Sequence, residues 1–226
     1  DVVLSRGLGD VYKRQASAYS AAKNGARVIL AEDKPRFGGS LLTSDVNIGN
    51  QTGVEWTEKI IAELKSMPNV TVKNRSQVFG YYDHNMLVMS ERISDHLPKT
   101  QKYLPKQRLW YIRANEVLIS SGSIERPLVF GNNDTPGVML SSAAKEYMKV
   151  YGVLVGKKPL IFTNNDSGYE TAIEFKKNGV NPIILDTRSN PSSDIITEAK
   201  NLKIEIRFSY VAVSYTHLRA HETTPH

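Results

Sequence analysis

The chain contains no cysteine, and that absence rules out disulfides, a redox-active cysteine pair, cysteine-held zinc and iron–sulfur ligation within it. Any redox chemistry has to come from a bound cofactor. Long apolar runs are also missing. None approaches the roughly 18 residues that a membrane span needs, and the first residues lack the charged-then-apolar layout of a secretory leader. The expectation is a cytoplasmic protein with no membrane partner. Concentrated charge is absent as well: the net charge of +6 is spread over Lys23, Lys34, Lys65, Lys102, Lys145 and Lys176, with dense doublets at Lys157-Lys158 and Lys176-Lys177. Nucleic-acid binders gather their cations into a stripe or a known module, so no nucleic acid is expected. What is present is 226 residues at 40% hydrophobic content, enough for one large domain or two small ones with a real core.

The two ends stand apart from the middle. From Ala16 a run of small residues reads as a helix leading to a strand, but the preceding Ser5-Arg6-Gly7-Leu8-Gly9-Asp10-Val11-Tyr12-Lys13-Arg14-Gln15 fits neither pattern. The tail from Ser214 to His226 is equally foreign. Three of the five histidines fall in the last ten residues, and clustered histidine is what a zinc or nickel site requires. Against that, both ends resemble translated adapter sequence of the kind that flanks assembled environmental reads. Residues 1–15 and 214–226 are therefore set aside as non-native scars, and no metal is assigned. The native segment is then 16–213, expected to be truncated on both sides.

Within it, Ala16 to Asn24 is a helix stopped by Gly25, which permits a left-handed turn. Arg27-Val28-Ile29-Leu30-Ala31-Glu32 reads as a buried parallel strand closing on an acid. Val54, Ile60, Ile61 and Leu64, followed by Pro68, mark an amphipathic helix over 54–67. The short runs Val70–Val72, Val78–Tyr82, Met86–Met89 and Leu109–Ile112 predict an antiparallel meander inserted in the α/β unit. Glu116-Val117-Leu118-Ile119-Ser120-Ser121-Gly122 reads as a strand returning to the first sheet. After a linker at Tyr151–Gly156, strands at 159–162, 182–185 and 204–208 alternate with helices at 167–178 and 193–200, which argues a parallel sheet with right-handed crossovers. The expected class is α/β: an incomplete Rossmann dinucleotide-binding domain over 16–150 with an antiparallel β insertion, then a second, degenerate Rossmann-like unit over 151–213. Asn24-Gly25-Ala26-Arg27 and Asn178-Gly179-Val180-Asn181 echo one another, each leading into a strand that ends in an acid.

A dinucleotide fold needs glycines in its first strand–helix turn, for close approach of the pyrophosphate, and an acid about 20 residues on to grip the ribose hydroxyls. Glu32 stands where that acid belongs, with a solvated strand-end glutamate as the alternative. Counted back from Glu32, the glycine loop falls at about residues 9 to 14. Those positions hold Gly9, Asp10, Val11, Tyr12, Lys13 and Arg14, so Gly7 and Gly9 are out of register, and the first strand and its loop are taken as lost. The run Glu32-Asp33-Lys34-Pro35-Arg36-Phe37-Gly38-Gly39-Ser40 adds a glycine pair that lets backbone approach a nucleotide. In the second unit Thr163-Asn164-Asn165-Asp166-Ser167-Gly168 stands where a glycine-rich loop would be and keeps only the last glycine. Asp166 brings negative charge to a phosphate position, so this unit is read as a non-binder, with Asp166 or Ser167 capping the helix that follows. Asp186, at the ribose-acid spacing, is inherited geometry.

Other polar groups have plainer readings. Asp83 and His84 invite an acid–base role, but neighbours on a strand point to opposite faces. A surface hairpin with one aromatic packed inward is the favoured reading. His96 is taken as a surface residue. Arg126 could match a cofactor phosphate or pair with Glu125 or another carboxylate. The run from Asn132 to Gly137 is turn chemistry. No catalytic residue is assigned.

The acid-to-Gly-Gly spacing resembles the glutathione-reductase-like family of two-dinucleotide flavoproteins, in which this loop wraps the adenosine half of the cofactor. Val117-Leu118-Ile119-Ser120-Ser121-Gly122 resembles that family's second signature, normally ending Ala-Thr-Gly. The likeness narrows at Val78-Phe79-Gly80-Tyr81-Tyr82-Asp83-His84-Asn85, Pro105-Lys106-Gln107-Arg108-Leu109-Trp110, the run from Glu125 to Leu140, and Phe162-Thr163-Asn164-Asn165-Asp166-Ser167. There the chain looks like the alpha subunits of bacterial heterotetrameric sarcosine oxidases, and the match runs through essentially all of 16–213. That resemblance implies NAD in this segment, held by Glu32, Asp33, Arg36, Gly38, Gly39, Ser40, Val78, Ser121, Gly122 and Arg126. It also implies partner beta, gamma and delta subunits in a complex that oxidises sarcosine to glycine with release of peroxide and one-carbon transfer to tetrahydrofolate. FAD, FMN, sarcosine and folate would bind outside this segment, leaving the fragment itself inactive. A related amine or opine oxidase, a hydrogen cyanide synthase type dehydrogenase, or a non-binding assembly module is the alternative.

Overall fold

In a computed structural model of the protein, residues 2–5, 11–98, 103–120, 122–214 and 217–220 are described. The chain divides into two compact units, Asp1–Ile124 and Glu125–His226.

The first unit runs β1 (Val2–Ser5), α1 (Val11–Lys23), β2 (Val28–Ala31), the small hairpin β3 (Asn47–Ile48) and β4 (Gln51–Thr52), α2 (Gly53–Ser66) and β5 (Val70–Lys73). A three-stranded antiparallel meander follows as β6 (Ser76–Tyr82), β7 (Met86–Arg92) and β8 (Gln107–Arg113), and β9 (Glu116–Ile119) closes the unit. Four strands form one parallel sheet in the order β5-β2-β1-β9. The strand order reverses at β1, and such a switch point opens a crevice beyond the strand carboxyl ends where open α/β sheets bind ligands.

The sequence of β2 has no polar residue because both of its faces are covered, as central parallel strands require. Val28 and Leu30 pack with Ala18 and Ala22 of α1 and with Ile60, Ile61 and Leu64 of α2. The alternate residues Ile29 and Ala31 pack with Leu87, Met89 and Ile112 of the meander. α2 starts at a reciprocal cap: Thr52 Oγ1 accepts from the Glu55 backbone N–H at 3.2 Å, and Glu55 Oε2 accepts from the Thr52 N–H at 2.8 Å. Such a cap is worth about 1 kcal/mol. The Asn69 side-chain amide donates to the carbonyls of Ala22 and Ala26, fastening the end of α1 to the start of β5.

Three expectations are corrected by these elements. A first strand is present, at Val2–Ser5, and α1 begins at Val11 instead of Ala16. The strand at Val70 belongs to the parallel sheet and not to the meander. Alternating Val-Thr-Val fits a half-buried strand of either kind, so its period could not choose between them.

The second unit contains α3 (Ser141–Tyr151), β10 (Leu160–Thr163), α4 (Ser167–Lys177), β11 (Ile183–Asp186), α5 (Asp194–Asn201) and β12 (Glu205–Phe208), then the pair β13 (Tyr210–Ser214) and β14 (His217–Ala220). β10, β11 and β12 are parallel and lie in that order. The expected boundary at 150/151 moves to Ile124/Glu125, which places α3 in the second unit. Ala144 and Met148 of α3 share a core with Tyr169, Ala172, Phe175 and Ile184. Ser141 Oγ donates to Thr171 Oγ1 at 2.6 Å, and Lys149 pairs with Glu174 at 3.0 Å. The helix at Ser141–Tyr151 is itself one that the sequence pattern leaves unassigned.

Candidate functional site

Glu32 is the first residue past β2, at the carboxyl end of the first sheet. Its backbone continues the ladder: Glu32 N–H donates to the Lys73 carbonyl at 2.8 Å, and Ser76 N–H donates to the Glu32 carbonyl at 2.7 Å. Two more bonds, Arg75 N–H to the Lys34 carbonyl and Asn74 Nδ2 to the Pro35 carbonyl, stitch the loop after β2 to the loop after β5. The Glu32 side chain is thereby held against the sheet, and only 3% of the residue is exposed.

Its carboxylate meets the adjacent Asp33 side chain and two N–H donors. Oε1 accepts from the Lys34 N–H at 3.1 Å, and Oε2 accepts from Arg14 Nη2 at 3.0 Å. Arg14, fully buried, also donates from Nη1 to the Ala31 carbonyl at 3.1 Å. Burial pushes the Glu32 carboxyl up to about 7, and a hydrogen bond with the adjacent Asp33 adds to the rise. The Arg14 charge and the Lys34 N–H oppose it. With Arg14 fully buried against it, the carboxylate is closed to solvent on the Oε2 side. Sequence reasoning missed Arg14 because it lies in the stretch set aside. Arg14 Nε and both amide atoms of Gln15 are buried without hydrogen-bond partners, a costly arrangement for polar groups facing a sheet.

The glycine loop expected at residues 9 to 14 is also displaced. β1 ends at Ser5 and α1 begins at Val11, so the connection is 6–10 and residues 11–14 form the first turn of the helix. Gly7 and Gly9 fall in that connection, outside the described residues.

The remaining candidates are distributed as follows. Asp33, Arg36, Gly38, Gly39 and Ser40 share the loop after β2. Gly38 adopts φ +129°, and a Cβ there would lie 2.7 Å from Leu42 Cγ and 3.4 Å from Thr57 Cγ2. The loop's own backbone turn and Leu42 therefore demand this glycine independently of any ligand. Gly39, at φ +45°, opens a short helical turn, Gly39–Leu42, that buries Leu41. Arg36 points to α2, where it pairs with Glu58 at 3.3 Å, both well exposed. Val78 packs on the Ala31, Leu87 and Met89 cluster and is as much core as site. Gly122 is exposed at φ +65°, just past β9. Ser121 lies outside the described residues. Arg126 is exposed and falls in the second unit, so within the first unit it completes nothing. Its neighbour Glu125 instead accepts from the N–H groups of Ser141 and Ser142 at 3.1 and 2.7 Å, capping the start of α3.

Asp83 and His84 form the tip of a hairpin, with His84 at φ +57°, and both are exposed. No aromatic there packs inward, contrary to expectation: Phe79, Tyr81 and Tyr82 are each more than half exposed. Among the described residues no group of three or more potential metal ligands exists.

In the second unit the acid position is closed. Asp186 is fully buried and accepts from Tyr169 Oη at 2.7 Å, from Arg188 Nη2 at 2.8 Å, and from the Arg188 Nε and backbone N–H at 3.0 and 2.9 Å. Burial alone would raise its pKa, but the Arg188 and Tyr169 hydrogen bonds outweigh it and hold the carboxyl below its ordinary range. The expected caps of α4 are corrected too. Asn165 Oδ1 accepts from the Ser167 N–H at 2.9 Å, while Asp166 pairs with Arg188 at 2.9 Å. Gly168 keeps the one function left to the loop, close approach of helix to strand, since a Cβ there would lie 2.7 Å from Thr163 Cβ.

A parallel sheet with helices on one face, a meander on the other and an acid past its second strand is the architecture of dinucleotide-binding flavoproteins. The chain superposes on thioredoxin reductase of T. acidophilum with a TM-score of 0.69 at 14% identity, covering 99% of this chain and 71% of that one. On L-proline dehydrogenase of P. horikoshii the TM-score is 0.64 at 20% identity, covering 86% and 37%. These likenesses are of fold. No family model matches the chain.

Sequence similarity is narrower. The chain is similar to the sarcosine oxidase alpha subunit of Rhizobium meliloti (strain 1021), with 41% identity over 186 residues, 82% of this chain and 19% of that protein. Against the corresponding protein of Corynebacterium sp. (strain P-1) the identity is 36% over 180 residues, 79% and 19%. An opine oxidase component of Agrobacterium tumefaciens (strain Ach5) is 25% identical over 189 residues, 78% and 35%. The chain thus spans about a fifth of the length of the sarcosine oxidase subunits it resembles.

Proposed function

We propose that the chain is the NAD-holding part of a cytoplasmic sarcosine oxidase alpha subunit. The complex it serves would oxidise sarcosine to glycine with release of peroxide and pass the one-carbon unit to tetrahydrofolate, beside beta, gamma and delta subunits. The similarity to sarcosine oxidase alpha subunits carries the identity of the complex. The position of Glu32 carries the cofactor: a carboxylate at the carboxyl end of β2, beside the switch strand β1, matches the diol of an adenosine ribose. Gly38 and Gly39 would let the backbone approach it, and Ser121-Gly122 would floor the site. A bound dinucleotide supplies two-electron acceptance, which the side chains of this cysteine-free chain do not. FAD and FMN belong to other parts of the complex.

The fit is incomplete in one respect, because the Arg14 guanidinium stands where the ribose would approach. The buried, unpartnered atoms of Arg14 and Gln15 mark the first turn of α1 as poorly fitted to this unit. In an intact alpha chain Glu32→Ala should lower the NAD retained through purification, measured by mass spectrometry of released cofactor. In the present chain Arg14→Ala should raise NAD affinity. Unchanged NAD content in the first variant would remove Glu32 from the site.

For the second unit the supported reading is docking of partner subunits without a nucleotide. The saturation of Asp186 by Tyr169 and Arg188 favours it.

A further inference from the structure

The amino ends of β10, β11 and β12 border a hollow of about 930 Å³, at the opposite end of the second sheet from Asp186. Its floor is apolar, formed by Leu154, Leu160, Val180 and Ile183 among others, and Leu154 and Leu160 are about half exposed. Its rim is cationic. Lys157 and Lys158 precede β10, Lys176 lies in the last turn of α4, and Lys203 precedes β12. Glu205 is the single acid in the lining, and Arg207 already pairs with it at 2.6 Å. Lys176 donates to Asn181 Oδ1. Among the described residues no carboxylate pairs with Lys157, Lys158 or Lys203.

Lys203 carries a second, independent sign. α1, α4 and α5 end in the same turn, closed by matched pairs of bonds: Gly25 N–H to Ala22 and Ala26 N–H to Ala21, Gly179 N–H to Lys176 and Val180 N–H to Phe175, Lys203 N–H to Lys200 and Ile204 N–H to Ala199. The first two turns place glycine in the left-handed position, at φ +83° and +79°, whereas the third holds Lys203 at φ +56°. A lysine there carries strain that glycine avoids, and strain kept at an exposed cation directs attention to what the cation meets.

We propose that this hollow docks an acidic segment of a partner polypeptide, setting its carboxylates against Lys157, Lys158 and Lys203 and an apolar side chain on the Leu160, Val180 and Ile183 floor. A protein segment fits better than nucleic acid because the lining has no aromatic stacking platform and no arginine. It fits better than a small anion because Lys157 and Lys158 precede β10 and Lys203 precedes β12, with β11 lying between those strands, so the cations do not share one element. The inference rests on the second unit being a docking module and names the face that docks.

The test uses the native assembly that contains this chain. A water-soluble carbodiimide joins amines to carboxylates in contact, and the expected products link Lys157, Lys158 or Lys203 to Asp or Glu of a second polypeptide. In a Lys158→Glu/Lys203→Glu variant with an unchanged thermal transition, those products should vanish, and partner retention at moderate salt should fall about tenfold, as like-charge juxtaposition dictates. Lys203→Arg should keep both. Links to a second polypeptide from other faces of the unit but none from these lysines would overturn the placement and leave the docking reading standing. No link from any part of the unit would overturn both. Nuclease-sensitive RNA retained by the parent and lost in the double variant would replace the proposal with a nucleic-acid site.

Discussion

Glu32 and Asp186 occupy equivalent places, each at the carboxyl end of the second strand of a strand–helix–strand unit, yet their surroundings drive them in opposite directions. Asp186 is met by four donor groups that fold back from its own loop and helix. Glu32 is met by one local N–H, by the adjacent Asp33 side chain and by a guanidinium from the first turn of α1. Burial dominates at Glu32 and raises its carboxyl to about 7, while hydrogen bonding dominates at Asp186 and lowers it. One topological position thus yields a structural anchor in the second unit and a proton-retaining acid in the first.

The largest effect is expected at the anchor. Asp186→Ala leaves Tyr169 Oη and the Arg188 guanidinium without their main acceptor. The pair is part-exposed on the Arg188 side, so the loss of stability should be about 2–4 kcal/mol, read by urea unfolding. Glu32→Gln at neutral pH should cost much less, since the native carboxyl already holds its proton for part of the time. Equal losses from the two substitutions would erase the contrast.

The sign of the pH dependence separates the same two residues more finely. The folded pKa of Glu32 lies above its ordinary 4.5, so the native state binds the proton more tightly than the unfolded chain. The stability this contributes is complete below about 4.5 and is lost as pH rises through about 7. Asp186 runs the other way: its folded pKa is depressed, so its contribution is present above the ordinary 3.8 and is lost as pH falls through the folded value. Unfolding measured across pH 5 to 8 should slope downward in the parent chain and flatten in Glu32→Gln, with Asp186 silent in that window. A downward slope that survives Glu32→Gln belongs to some other group.

Much of this architecture is legible in the residues themselves. The uniformly apolar Val28 to Ala31 requires cover on both faces, and the alternation in the second unit yields β10, β11 and β12 and their parallel sheet. What period cannot encode is the identity of the packing partner. Local pattern assigns the strand at Val70 to the wrong sheet, because it fixes a face and not that face's destination, and it leaves the helix at Ser141–Tyr151 unassigned altogether. The site is half legible. Spacing finds Glu32 and Asp186, but neither Arg14 nor Arg188 has a local signal as their partners. A guanidinium acquires that role only when a helix turn or a loop brings it within about 3 Å of a buried acid.

Where the two units agree, matched substitutions should have matched and smaller consequences. Gly25 and Gly179 end their helices at φ +83° and +79°, and a Cβ at either would meet nothing within 4 Å. Substitution by alanine therefore adds no clash and reports only the cost of the left-handed backbone, about 1 kcal/mol at each position. The same reasoning reverses at the third such turn. Lys203→Gly relieves a left-handed lysine at φ +56° and should raise unfolding stability by a similar increment, about 1 kcal/mol or slightly less, because glycine also loosens the unfolded chain. A loss at Gly25 and Gly179 together with a gain at Lys203 would establish that the three helix ends are one device, and that at α5 the residue best for stability has been displaced by one with a charge to present.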